Sequence, residues 1–147
     1  MTYEELLQLF SRKAPQAKRA KPRDLEHQLQ CACVHWYRFA YARFSDLLFA
    51  IPNGGRRDVV TGRKLKDEGV LAGVADLFLA IPNREYHGLF IEMKTDKGRQ
   101  SEAQKNFQRA VTGAGYNYAI CRSKEDFSAV VTSYLHRVRL IPISHNQ

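Results

Sequence analysis

Two apolar runs separated by a short turn, VADLFLAI at 74–81 and LFIEMKT at 89–95, constrain this chain more than any other feature. Each reads as a strand, and residues 82–88 leave no room for a crossover helix, so an antiparallel hairpin is expected. Both runs also carry charge where a buried strand should have none. Asp76 lies early in the first run. Glu92 and Lys94 lie two apart in the second, which puts them on one face of a strand. Setting a carboxylate and an ammonium among Phe90, Ile91 and Met93 costs desolvation energy, so a sequence that keeps them there needs something to offset it.

One offset is a hard divalent cation. Two carboxylates on adjacent strands, Asp76 and Glu92, can hold Mg²⁺ or Mn²⁺, which prefer oxygen ligands, and the backbone carbonyl of Met93 between Glu92 and Lys94 can add another. Such an ion activates water and shields a phosphate, while Lys94 orients that water or stabilises developing negative charge. The alternative is a buried acid–lysine pair that is only structural. Charge patterning favours a polyanionic partner: 23 Lys and Arg against 15 Asp and Glu give a formal net charge of +8.

The rest of the chain supplies elements around the hairpin. Residues 3–11 suggest a short helix with Leu6, Leu7 and Phe10 on one face. Residues 12–23 form a basic, Pro-containing arm that either lies on a phosphate backbone or stays solvated. Asp24 is the expected N-cap of a helix to about Phe44 whose apolar face holds Leu25, Leu29, Ala32, Cys33, Trp36, Phe39 and Ala40. A strand at 47–51 and a helix at 58–69 ending at Gly69 follow. After the hairpin, Ser101 with Gln104 forms a capping-box pattern. The helix it opens stops at Gly115, a strand spans 116–121, and Ser123 caps a last helix at 124–138. Domain boundaries fall at 1–23 for the helix and arm, 24–138 for one folded domain and 139–147 for a tail. An α/β fold in three layers, α/β/α around a mixed sheet, is the simplest arrangement of these elements.

Several side chains suit a nucleic-acid backbone. Asn53, Gly54, Gly55, Arg56 and Arg57 combine a tight turn, exposed N–H groups and two guanidiniums, although an ordinary turn with solvated arginines has the same composition. Lys64 and Lys66 lie downstream, and Lys97, Arg99 and Lys105 follow the charged strand. The aromatics Phe39, Tyr41, Phe44, Phe107, Tyr116 and Tyr118 read as core. Cys31, Cys33 and Cys121 read as buried small apolar residues, and the five histidines lack zinc-site spacing. The acidic N-terminus MTYEELLQLF is unlike a secretory signal and no run of about 18 apolar residues exists, so a cytosolic protein with no membrane partner is expected.

The matches LEHQLQ (25–30), IPNGGRR (51–57), GVLAGVADLFLA (69–80), LFIEMKTDKGRQSEAQ (89–104) and YAICRS (118–123) together resemble the virus-type replication-repair nuclease domain, VRR-NUC, of the PD-(D/E)XK superfamily. The resemblance implies a restriction-endonuclease-like fold with Asp76 and Glu92 as metal ligands and Lys94 as the catalytic lysine. It also implies that Glu26 reaches the metal directly or through water, and that Gln104 helps set the active site. Ala75 stands where the superfamily name has Pro, a position that supplies only backbone shape. The implied activity is a DNA endonuclease of a bacterial or phage-infected cell, acting in DNA repair as a homodimer on branched DNA such as Holliday junctions. The alternative is a non-catalytic DNA-binding subunit with the same fold.

Overall fold

The structure, a computed structural model, describes residues 21–52 and 59–137. The first helix, α1 (Pro22–Ala40), begins before the expected N-cap. Lys21 is extended at the cap position and Pro22 opens the helix, leaving Asp24 inside the first turn. Proline fits there because its fixed φ is helical and its missing N–H would have had no partner. Asp24 instead places negative charge near the positive end of the helix dipole.

The buried stripe of α1 is rotated from the expected one. Cys33 and Tyr37 are fully buried, and Leu29, Val34, Trp36 and Tyr41 pack against the core. Phe39 is 89% exposed and Leu25 45%, so neither belongs to the apolar face. Cys31 is also exposed, with its Sγ 3.6 Å from His27 Nε2, contrary to the buried role expected of it. Apolar residues occur on both sides of this helix; the side with Tyr37 packs against the sheet and the last helix, and there its hydroxyl also finds a partner. Tyr37 Oη donates to the Phe44 carbonyl at 2.8 Å. That carbonyl lies at a kink in a 3-10 turn, Ala42–Leu47, which replaces the expected end of the helix. Phe44 itself is 43% exposed rather than core.

Strand β1 is consequently short, Leu48–Ala50, and α2 follows at Val59–Asp67. Strands β2 (Leu77–Leu79) and β3 (Leu89–Met93) form the expected hairpin. Helix α3 (Glu102–Gly113) opens on the expected capping box and closes before Gly115, whose φ is +92°. Strand β4 (Asn117–Cys121) and helix α4 (Lys124–Leu135) complete the order. Ser123 caps α4 by accepting from the Asp126 N–H at 3.0 Å. Helix α4 ends at Leu135, three residues before the expected end at 138, which lies outside the described residues.

The four strands lie in the order β1-β2-β3-β4, antiparallel except for the parallel β3/β4 pair. This is the mixed sheet expected of an α/β fold. The two-residue period of a strand divides its side chains between two faces. Leu77, Leu79, Leu89, Ile91, Met93 and Cys121 are buried in one core cluster with Cys33 and Tyr37 of α1 and Phe127, Val131 and Tyr134 of α4. Each fully buried side chain of this size contributes about 1.5–3 kcal/mol. The other face carries an aromatic row, with ring centroids 5.7 Å apart for Phe49–Phe78 and 4.5 Å for Phe78–Phe90. Helix α3 covers part of that row through Phe107, 5.1 Å from Phe90. Glu92 has the same parity as Phe90, so it belongs to the aromatic face beneath α3.

Candidate active site

The hairpin register decides which charges meet. Leu77 pairs with Ile91, so Asp76, one residue before β2, stands opposite Glu92. Lys94, two residues beyond Glu92, returns to the same face. Its Nζ lies 3.2 Å from Glu92 Oε1, and the two side chains are 12% and 2% exposed. Asp76 Oδ2 accepts the Met93 N–H at 2.7 Å, which brings the Met93 peptide to the site while the Met93 side chain stays in the opposite core.

Glu92 is the only charged or polar residue among the buried residues described. Its Oε1 accepts from Lys94 and also from Gln104 Nε2 at 2.5 Å. Its Oε2 is buried with no hydrogen-bond partner. Burial, and then the facing Asp76 charge, push the Glu92 carboxyl up from 4.5 to about 7, against the opposing pull of Lys94. Burial likewise raises Asp76, partly offset by the Met93 N–H and by Lys94. A carboxylate this buried with one oxygen unsatisfied is the condition a bound cation relieves.

The surrounding elements fix this pair. Gln104 is the third residue of α3, and its Oε1 accepts the Ser101 N–H at 2.8 Å while its Nε2 reaches Glu92. One amide thus closes the capping box and holds the acid, so the capping and active-site readings of Gln104 describe the same side chain. Glu26, on the first turns of α1, accepts the Thr95 N–H at 3.4 Å. Among the described residues, no three carboxylate, histidine or cysteine side chains converge as a ready-made cage.

Sequence reasoning assigned no role to Gly73 or Arg122. Gly73 has φ +87°, and a Cβ there would lie 2.4 Å from the Ala103 carbonyl carbon and 2.7 Å from the Gln104 nitrogen. Only glycine lets the loop before Asp76 pass this close to the start of α3. The G-x-x-D spacing from Gly73 to Asp76, beside a strand, is the sequence signal that could have found it. Arg122, just past β4, donates through Nη1 to the carbonyls of Thr95 at 2.7 Å and Gly98 at 2.8 Å.

The candidate backbone-binding residues are scattered by comparison. Asn53, Gly54, Gly55, Arg56 and Arg57 lie outside the described residues. Lys64 and Lys66 are exposed on the last turn of α2, and Lys97 and Arg99 are exposed in the loop after β3. Lys105 is exposed but paired with Glu102 at 3.0 Å. A cleft of about 360 Å³ lined by Tyr86, Asn117, Val130 and Arg137 sits at the amino-terminal end of β4, away from the acids. No helix among the described residues is long and apolar enough to cross a membrane.

A family model described as the VRR-NUC domain matches residues 11–125. A solved structure named as a VRR_NUC domain protein is similar with a TM-score of 0.70 and 22% identity, covering 82% of this chain and 93% of that chain. At that identity the likeness concerns the fold. No curated protein matches the chain.

Proposed function

The chain belongs to the VRR-NUC family, a domain of nuclease type, and from that premise we propose that it is a Mg²⁺- or Mn²⁺-dependent DNA endonuclease. The observation that carries this reading is the fully buried Glu92 carboxylate, with one oxygen unpartnered and the other shared by Lys94 and Gln104. The donor set fits a hard cation. Asp76 and Glu92 would hold it with the Met93 carbonyl, and with Glu26 directly or through water. When bound, the cation supplies charge neutralisation at the phosphate and a more acidic water.

The protein's own groups supply the remainder. Lys94 keeps its ammonium 3.2 Å from Glu92, where it can orient the attacking water and stabilise negative charge developing on the phosphate oxygens. Gln104 holds the Glu92 carboxylate in one orientation. Water attacks phosphorus in line and the opposite P–O bond breaks, leaving a phosphomonoester and a hydroxyl. Net charge +8, with Lys64, Lys97, Arg99 and Lys105 exposed and Arg56 and Arg57 adding to the basic sequence, suits a DNA backbone read without sequence preference.

The finer reading is a homodimer acting on branched DNA, including four-way junctions, where two-fold symmetry would set one site on each of two strands. The test is cleavage of labelled four-way, splayed and linear duplex DNA in Mg²⁺, Mn²⁺ or EDTA. Metal-dependent cutting that favours the junction supports the whole reading. Equal cutting of plain duplex removes the junction preference. Tight binding without cutting under any metal leaves a non-catalytic DNA-binding subunit.

A further inference from the structure

The parallel β3/β4 pairing sets Met93 beside Cys121, so the chain positions that follow, Lys94 and Arg122, emerge side by side at the carboxyl ends of two strands. Their main chains are joined there, with the Lys94 N–H donating to the Cys121 carbonyl at 3.0 Å. Arg122 is itself anchored, because its own N–H donates to Asp126 Oδ2 at 3.0 Å in the first turn of α4. From that base its guanidinium crosses to the turn after β3. Nη1 donates to the carbonyls of Thr95 at 2.7 Å, Gly98 at 2.8 Å and, more distantly, Asp96 at 3.4 Å. A second hydrogen bond closes the same turn, from the Gly98 N–H to the Thr95 carbonyl at 3.0 Å.

The turn lies beside the lysine stem. A Cβ at Gly98 would lie 3.2 Å from Lys94 Cδ, so the Lys94 stem passes through the space that a side chain at Gly98 would need. Thr95 is held on its other side by Glu26, which accepts its N–H. A charged donor forms bonds stronger than neutral ones, and the two hydrogens of Nη1 serve the Thr95 and Gly98 carbonyls, with the longer Asp96 contact sharing one of them.

We propose that Arg122 is a positioning residue for the reaction: by holding the 95–98 turn it fixes the surface along which the Lys94 stem lies, and so the place of its ammonium over Glu92. This rests on the nuclease reading of the site. Arg122 makes no hydrogen bond or ion pair with Asp76, Glu92 or Glu26 and acts only through the turn.

The test compares wild type, Arg122→Gln and Arg122→Lys in steady-state cleavage, thermal unfolding and amide hydrogen exchange. Arg122→Gln should lower kcat about 10–100-fold with KM within about three-fold, the size of effect expected from an ångström-scale misplacement. Exchange of the Gly98 amide should speed at least about ten-fold while β4 and α4 keep their protection. Arg122→Lys, whose ammonium can still bond one or two of the carbonyls, should recover most of the lost kcat even if the glutamine variant folds poorly. Unchanged kcat in Arg122→Gln beside an active wild type would overturn the proposal alone, as would unchanged exchange at Gly98. A wild type that cuts nothing would instead remove the nuclease reading, and the exchange data would separate the two failures.

Discussion

Gln104 donates its side-chain amide to Glu92 at 2.5 Å while its carbonyl oxygen accepts the N–H of Ser101, so one side chain both caps α3 and holds the buried acid. The two jobs separate in Gln104→Glu. A glutamate at this position preserves a capping box. It replaces the donor facing Glu92 with a like charge, which pushes the Glu92 carboxyl further up. Cleavage at neutral pH should fall about ten-fold or more, and the rising limb of its pH profile should move to higher pH. The thermal midpoint should stay within a few degrees of wild type. Steady-state rates between pH 6 and 9 check this; a profile that overlays wild type would deny Gln104 its role at Glu92.

The raised Glu92 carboxyl makes the metal-free protein pH-sensitive. Its ordinary value of 4.5 becomes about 7 in the fold, so between those values the folded state binds the proton more strongly than the unfolded chain does. The contribution is full below about pH 4.5 and is lost as pH rises through about 7, with an upper bound of about 3 kcal/mol. In EDTA, unfolding midpoints measured by urea should therefore decline from pH 5.5 to 8. Glu92→Gln has no proton to lose there, so its decline should be shallower. Added Mg²⁺ should stabilise wild type most at pH 8 and the variant little. Parallel wild-type and variant curves would show that Glu92 is not the titrating group.

Gly73 and Gly69 both have positive φ, yet only Gly73 faces backbone. A Cβ at Gly73 meets Ala103 and Gln104 at 2.4–2.7 Å, whereas one at Gly69 meets nothing within 4 Å. Gly69→Ala should thus cost about 1 kcal/mol, the strain of a left-handed alanine. Gly73→Ala should cost more than about 2 kcal/mol, because the loop or the start of α3 must also shift. Since that shift moves Gln104 away from Glu92, Gly73→Ala should lose activity beyond what its fraction folded explains. Chemical denaturation and specific activity of the two variants decide this; equal costs would contradict the close packing.

The hairpin and its charges were legible because strand parity is strict. Once 74–81 and 89–95 read as antiparallel strands, Glu92 and Lys94 had to share a face. The capping box at Ser101 and Gln104 was legible for the same local reason, since its two bonds span three residues. Helix α1 was not. Its sequence places apolar groups on both sides, and the buried side was chosen by contacts distant in sequence, such as the T-shaped Trp36–Phe127 ring pair. That left Phe39 in solvent. Arg122 was illegible as well, because its partners at 95–98 lie 24–27 residues away and accept through carbonyls that any residue possesses.

We propose Asp76, Glu92 and Lys94 as a metal-dependent centre for phosphodiester cleavage. The most direct measurement is cleavage of labelled four-way junction DNA by wild type and Lys94→Ala, in Mg²⁺, Mn²⁺ and EDTA, with binding measured in Ca²⁺. Wild type should cut only with metal, Lys94→Ala should lose about 10²–10⁴-fold in rate, and binding should stay within a few-fold of wild type. Cutting that persists in EDTA, or a Lys94→Ala variant that cuts as fast as wild type, would contradict it.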